Sequence, residues 1–196
     1  AIRSPSSSGT TTPTAPGCDG ALMTGHLVLV GLMGAGKTTV GRECARRLGR
    51  SFVDTDLEIE RVTGHTVAEI FAAEGEEAFR ARERVAVAEV CGRTEPLVVA
   101  CGGGVILDPA NREALRAAGI VVWLRAPAAE LAARVGAGET RPLLADDPVG
   151  SLARLERERE PAYAAAAQVV VDTAGLAPTT VTERVLSAFA ASEVRS

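Results

Sequence analysis

The sequence predicts an α/β fold of three layers, with a central five-stranded parallel sheet between helices. Two observations predict it. Five short, β-branched apolar runs, "HLVLV" at 26–30, "SFVD" at 51–54, "PLVVA" at 96–100, "IVVWL" at 120–124 and "QVVV" at 168–171, alternate with stretches of helical period. A glycine-rich stretch, "GLMGAGKTTVGR" at 31–42, joins the first run to the first helix. Of the 196 residues, 25–196 form the expected domain, while 1–24 are a Ser/Thr/Pro-rich segment with almost nothing to bury, read as a disordered tail.

In chain order, Val40, Cys44, Ala45 and Leu48 share one helix face, and Gly49 stands where a left-handed cap would end it. "TVAE" at 66–69 has capping-box spacing ahead of Ile70 and Phe71, so a helix is expected to begin there. Asp108 and Pro109 open another helix that Gly119 closes, and Val121 to Leu124 form a strand. Val181, Val185 and Phe189 line one side of the last helix. The segment 135–150, with three glycines, two prolines and no sustained period, reads as a mobile lid. Neither an internal repeat nor a second core is expected.

Twenty-one lysines and arginines against 25 acids leave a net charge of −4, which gives no global pull toward nucleic acid or an anionic membrane. No apolar run approaches the ~20 residues a membrane span needs. The four cysteines form no CxxC pair, so the expectation is reduced thiols in the cytoplasm.

The chemistry gathers at three places. Gly31 to Thr38 satisfies G-x-x-x-x-G-K-[ST] between a strand and a helix, so the N–H groups around Gly34, Ala35, Gly36 and Thr39 would curl about phosphate oxygens. Lys37 would reach the terminal phosphates, and the Thr38 hydroxyl would ligate Mg²⁺. Asp54 and Asp56, two apart at the end of the second strand, are expected to point the same way, one toward hydrated Mg²⁺ and the other toward a substrate hydroxyl. "CGGGVI" at 101–106 follows the third strand; either a bound substrate approaches its main chain closely or the glycines make a tight packing turn.

The phosphate loop, "DTD", "IFAAEGEEAFRARE", "GGG", "TRPLL" and "REREPAY" together resemble the shikimate kinase family over nearly all of 26–190. The resemblance implies a P-loop kinase fold like that of nucleoside monophosphate kinases. It also implies transfer of the γ-phosphoryl of ATP, with Mg²⁺, to the 3-hydroxyl of shikimate on the way to chorismate and the aromatic amino acids. By the same resemblance Arg80 and Arg159 clamp the substrate carboxylate, which suits planar guanidinium groups. Asp56 contacts the hydroxyl, Gly103 with Gly102 and Gly104 supplies backbone contacts, and Asp54 lies near the metal's water shell. Arg141 is the lid arginine that meets the transferring phosphate, while Arg134 and Pro178 flank the adenine. Lys37, Asp56 and Arg141 are thus the catalytic set, in a monomer whose partners are ATP and shikimate.

The chain departs from the family pattern at Ala174 to Ala177, where many relatives carry a basic, asparagine-containing loop, and at Glu160. Arg157 competes with Arg159, but two residues along a helix turn the side chain by about 200°, so one of them enters the site. Arg46, Arg47, Arg82, Arg84, Arg112 and Arg116 read as solvated helix faces, Trp123 as core, and His26 and His65 as non-catalytic. Two other readings stay open: a kinase for gluconate or a nucleoside monophosphate, and a nucleotide-binding module without phosphoryl transfer.

Overall fold

The structure, a computed structural model, describes residues 25–135 and 147–193. Five strands, β1 (His26–Val30), β2 (Ser51–Asp54), β3 (Leu97–Ala100), β4 (Gly119–Arg125) and β5 (Val169–Asp172), form one sheet. Its order is β2-β3-β1-β4-β5, with every pairing parallel. All five runs expected from the sequence are strands. The three central ones are buried almost completely, as their unbroken Val/Leu/Ile composition requires of a sheet covered on both faces.

Helix α1 (Lys37–Leu48) and α7 (Pro178–Glu193) pack together on one face; α3 (Val67–Cys91), α4 (Pro109–Ala118) and α6 (Pro148–Ala166) cover the other. Helix α2 (Thr55–Thr63) packs on α3, and α5 (Ala128–Val135) on α6. The expected stop and start signals operate. Gly49 caps α1 at φ 64°, Thr66 and Glu69 form a reciprocal capping box on α3, and Asp108 caps α4. Val181, Val185 and Phe189 are buried beneath α7.

Four expectations need correction. Asp56 lies not on the strand but in the first turn of α2, because Asp54 caps that helix by accepting from the Asp56 amide at 3.2 Å. A second, satellite cluster exists: Ile59, Ile70, Phe79 and Ala86 bury one another between α2 and α3, apart from the main core. The segment 135–150 is not structureless at its far end, since Asp147 caps α6 and the helix runs from Pro148. Residues 136–146, with Arg141, lie outside the described residues, as does the tail at 1–24. Finally, Arg112 and Arg116 are not merely solvated: they donate to the Ile106 and Ala166 carbonyls at 2.7 and 3.1 Å.

The topology fixes where a ligand belongs. β1 lies between β3 and β4, and the connections leaving β1 and β3 run to opposite sides of the sheet. The crevice at their carboxyl ends is the switch point at which such sheets bind ligands. The phosphate loop leaves β1 there, and the glycine triplet leaves β3 beside it.

Candidate active site

Gly36 adopts φ 90° and stands at the N-cap of α1 with no side-chain hydrogen bond to the helix, so the first amides of α1 are presented to the crevice. Only glycine enters that left-handed region readily. Lys37 Nζ donates to the Gly31 and Leu32 carbonyls at 2.9 and 3.0 Å, folded back across the loop. A Cβ built on Gly34 would stand 2.7 Å from the Leu131 carbonyl, so α5 lies directly against the loop.

One turn along α5, the Arg134 guanidinium donates to Thr173 Oγ1 at 3.0 Å and to the Thr173 carbonyl at 2.8 Å. Glu130 pairs with it at 2.9 Å and also accepts from the Gly175 amide at 3.0 Å. Pro178 opens α7 five residues beyond Thr173. Arg134 is thereby tied to the loop after β5, on the phosphate-loop side of the molecule.

Asp54 divides its two oxygens. Oδ1 caps α2, and Oδ2 accepts from the Thr38 hydroxyl at 3.0 Å. Thr38 and Asp54 thus bring two oxygen donors together at the mouth of the phosphate loop. Mg²⁺ takes few protein ligands and fills its octahedron with phosphate oxygens and water, so this pair fits it. Among the described residues no group of three or more His, Cys, Asp or Glu forms an all-protein metal cage.

Asp56 is differently placed. Its Oδ1 is buried without a hydrogen-bond partner, and burial, reinforced by the Asp54 charge, pushes its pKa up to about 6 against the pull of Lys37. Facing it is Glu83, 1% exposed, whose Oε1 is also buried and unpartnered. Burial raises the pKa of Glu83 too, while Arg80 opposes the shift.

Arg80 is gripped from two sides. Its Nη1 meets Glu83 at 2.9 Å on the buried side, and its Nη2 meets the exposed Glu76 at 2.9 Å. Glu76 is brought there by a break in α3, where Gly75 takes φ 83° and ψ 178°.

The glycine triplet closes the site. A Cβ on Gly102 would stand 2.6 Å from Asp56 Oδ1 and 3.1 Å from Glu83 Oε1, and one on Gly104 would overlap the Arg80 guanidinium. None of the three has positive φ, so close approach and not turn geometry requires glycine at 102 and 104, while a Cβ on Gly103 would meet nothing nearer than the Gly31 carbonyl at 3.5 Å. Of the sequence's two readings, substrate approach or packing turn, the structure shows a third: site side chains themselves occupy the space. The Gly102 amide donates to Thr55 Oγ1 at 3.3 Å. Arg159 Nη1 donates to the Gly103 carbonyl at 3.0 Å, whereas Arg157 is exposed. Arg159, not Arg157, therefore reaches the crevice.

Asp54, Asp56, Arg80, the triplet and Arg159 accordingly meet beside Lys37 and Thr38. Sequence reasoning missed Glu83, Thr55 and Tyr163. Glu83 was signalled by its position three residues after Arg80, and Tyr163 by its position four after Arg159, spacings that share a helix face. Trp123 is core, as expected, and the buried His26 links the Leu97 amide to the Val90 carbonyl.

Residues 33–190 match the family model described as Shikimate kinase. The shikimate kinase of Symbiobacterium thermophilum is 53% identical over 151 residues, covering 76% of this chain and 86% of that protein. A solved structure of shikimate kinase from Acinetobacter baumannii in complex with shikimate superposes with a TM-score of 0.82 at 42% identity, over 86% of this chain and 94% of that one. A gluconokinase structure from Sinorhizobium meliloti, at TM-score 0.60 and 20% identity over 88% of this chain and 95% of that one, shares the fold.

Proposed function

This chain belongs to the shikimate kinase family and transfers the γ-phosphoryl of ATP to the 3-hydroxyl of shikimate, and we propose how its residues divide that work. The N–H groups of 34–39 cradle the β- and γ-phosphates, aided by the positive end of α1. Lys37 exchanges its loop carbonyls for phosphate oxygens. Thr38 and Asp54 hold Mg²⁺, which when bound neutralises charge on the phosphates. Arg134 and Pro178 flank the adenine, and Arg141 enters by its sequence alone, as the cation that meets the transferring group.

On the acceptor side, Arg80 and Arg159 grip the carboxylate and the backbone of 102–104, centred on Gly103, contacts the ring substituents. Asp56 accepts the hydrogen of the 3-hydroxyl and aligns its oxygen with the γ-phosphorus. Phosphoryl transfer passes through a loose transition state, so positioning and charge do most of the work. A carboxylate whose pKa is near 6 is ionised at neutral pH yet basic enough to take a proton as the new O–P bond forms.

The observation that carries this reading is the meeting of Asp56, Arg80 and Arg159 around one glycine triplet, where a Cβ built on Gly103 would stand 3.5 Å from the Gly31 carbonyl at the start of the phosphate loop. A pair of guanidinium groups beside a carboxylate suits a polyhydroxy carboxylate better than a nucleobase. The partners we assign are small molecules acting on a monomer, and the absence of any CxxC pair among the four cysteines supports reduced thiols in the cytoplasm.

Coupled ADP release with Mg-ATP against shikimate, gluconate and a nucleoside monophosphate, each with a no-acceptor control, tests it. Turnover with shikimate alone is expected; equal or faster turnover with another acceptor would overturn the assignment of the acceptor side.

A further inference from the structure

We propose that Tyr163 is a positioning residue, its buried hydroxyl fixing the glycine triplet so that 102–104 and Arg159 meet the acceptor in one arrangement. The inference deepens the function proposed above and rests on it.

Three consecutive glycines have no side chains to restrain them, and their backbone is the most freely rotating in the chain. What restrains this turn comes from outside it. Thr55 takes the Gly102 amide, and Val105 donates back to the Gly102 carbonyl at 3.1 Å. The Gly103 carbonyl accepts twice, from the Tyr163 hydroxyl at 2.7 Å and from Arg159 at 3.0 Å.

The two donors are not equivalent. Arg159 is half-buried and, as a carboxylate clamp, has to share its guanidinium with the acceptor. Tyr163 is 1% exposed, and its ring is stacked on Trp123 with centroids 5.2 Å apart and planes 12° from parallel. It has nowhere to swing. Burial also pushes its ionisation above the ordinary range, so the hydroxyl stays a neutral donor. The peptides are trans and planar, so holding the Gly103 oxygen toward α6 aims the Gly104 N–H the opposite way, away from Tyr163 and Arg159. Residues 159 and 163 are four apart on α6, which is why both reach one carbonyl. A core-filling role alone would be met by the ring and would leave the hydroxyl without consequence.

Tyr163→Phe keeps the ring and its stack and removes only the hydroxyl. The KM for shikimate is expected to rise about fivefold, the equivalent of one hydrogen bond's net contribution of ~1 kcal/mol, while the KM for ATP stays within twofold. Calorimetric titration with shikimate in the absence of nucleotide is expected to show the same weakening in Kd. Shikimate affinity within twofold of wild type, or equal weakening toward both substrates, would overturn the proposal. Should Tyr163→Phe fail to fold, amide exchange of the wild type decides. Shikimate alone is expected to slow exchange across 102–104; exchange there unchanged by shikimate would overturn the proposal. Wild-type protein that releases no ADP with shikimate would instead contradict the function on which this inference rests.

Discussion

The nucleotide side and the acceptor side of this crevice are built in opposite ways. The phosphate loop is one continuous stretch, 31–39, held between β1 and α1 above the main core. The acceptor side is assembled from four separate pieces, at 54–56, 80–83, 102–104 and 159–163, and α2 and α3 carry two of them on a satellite cluster of four buried residues. A contiguous motif preorganises its own geometry. A site gathered from distant segments depends on contacts between them, here the hydrogen bonds that tie Thr55, Arg159 and Tyr163 to the glycine turn. Damage on the first side is therefore expected to strike kcat, and damage on the second to strike acceptor affinity.

The largest effect that would sharpen this contrast is from Lys37→Ala. Losing the cation that the loop delivers to the phosphates is expected to lower kcat by about 10³-fold, with shikimate affinity within threefold of wild type by titration. Retained turnover would break the contrast at once. Next comes Arg80→Ala, which removes a charged donor from the carboxylate and leaves the buried Glu83 without its cation. The KM for shikimate is expected to rise ~10–100-fold in steady-state kinetics, with the KM for ATP unchanged.

Gly104→Ala is a milder probe, because its Cβ collides with the movable end of Arg80 and not with backbone. Roughly a fivefold to tenfold rise in the KM for shikimate is expected, with the melting temperature within a few degrees of wild type, since an added methyl that displaces one guanidinium costs about 1 kcal/mol. A fall in melting temperature without a change in KM would make the triplet a packing turn alone.

The smallest effect is the pH dependence. Asp56 has its pKa raised to about 6, so it is protonated below that pH and kcat/KM is expected to rise as pH increases through 6. For stability the sign is reversed. A carboxyl bound to its proton more tightly in the folded state than at the ordinary 3.8 loses folding stability as pH rises from about 4 to 6. Asp56→Asn is expected to remove that loss of stability, which thermal melts across pH 4 to 6 would read.

The same contrast explains what the sequence made legible. All five strands followed from short β-branched apolar runs, and the helix ends from Gly49, Thr66 with Glu69, and Asp108, because these signals are local. The phosphate loop was legible for the same reason. Asp56 was placed on the strand because alternation was extended past Asp54, whereas aspartate at that position is a helix cap that turns the chain. Glu83 and Tyr163 escaped notice because their roles exist only once α3 and α6 meet the turn after β3, and the satellite core because Ile59 and Ile70 come from different helices. Arg80 and Arg159 were reached through family resemblance, not through spacing, since 79 residues separate them.

The most direct test of the division between the two sides is calorimetric titration of Arg80→Ala with shikimate and, separately, with Mg-ATP. The account predicts that shikimate binding weakens at least about tenfold while ATP binding stays within twofold of wild type. Parallel weakening of both, or undiminished shikimate binding, would contradict it.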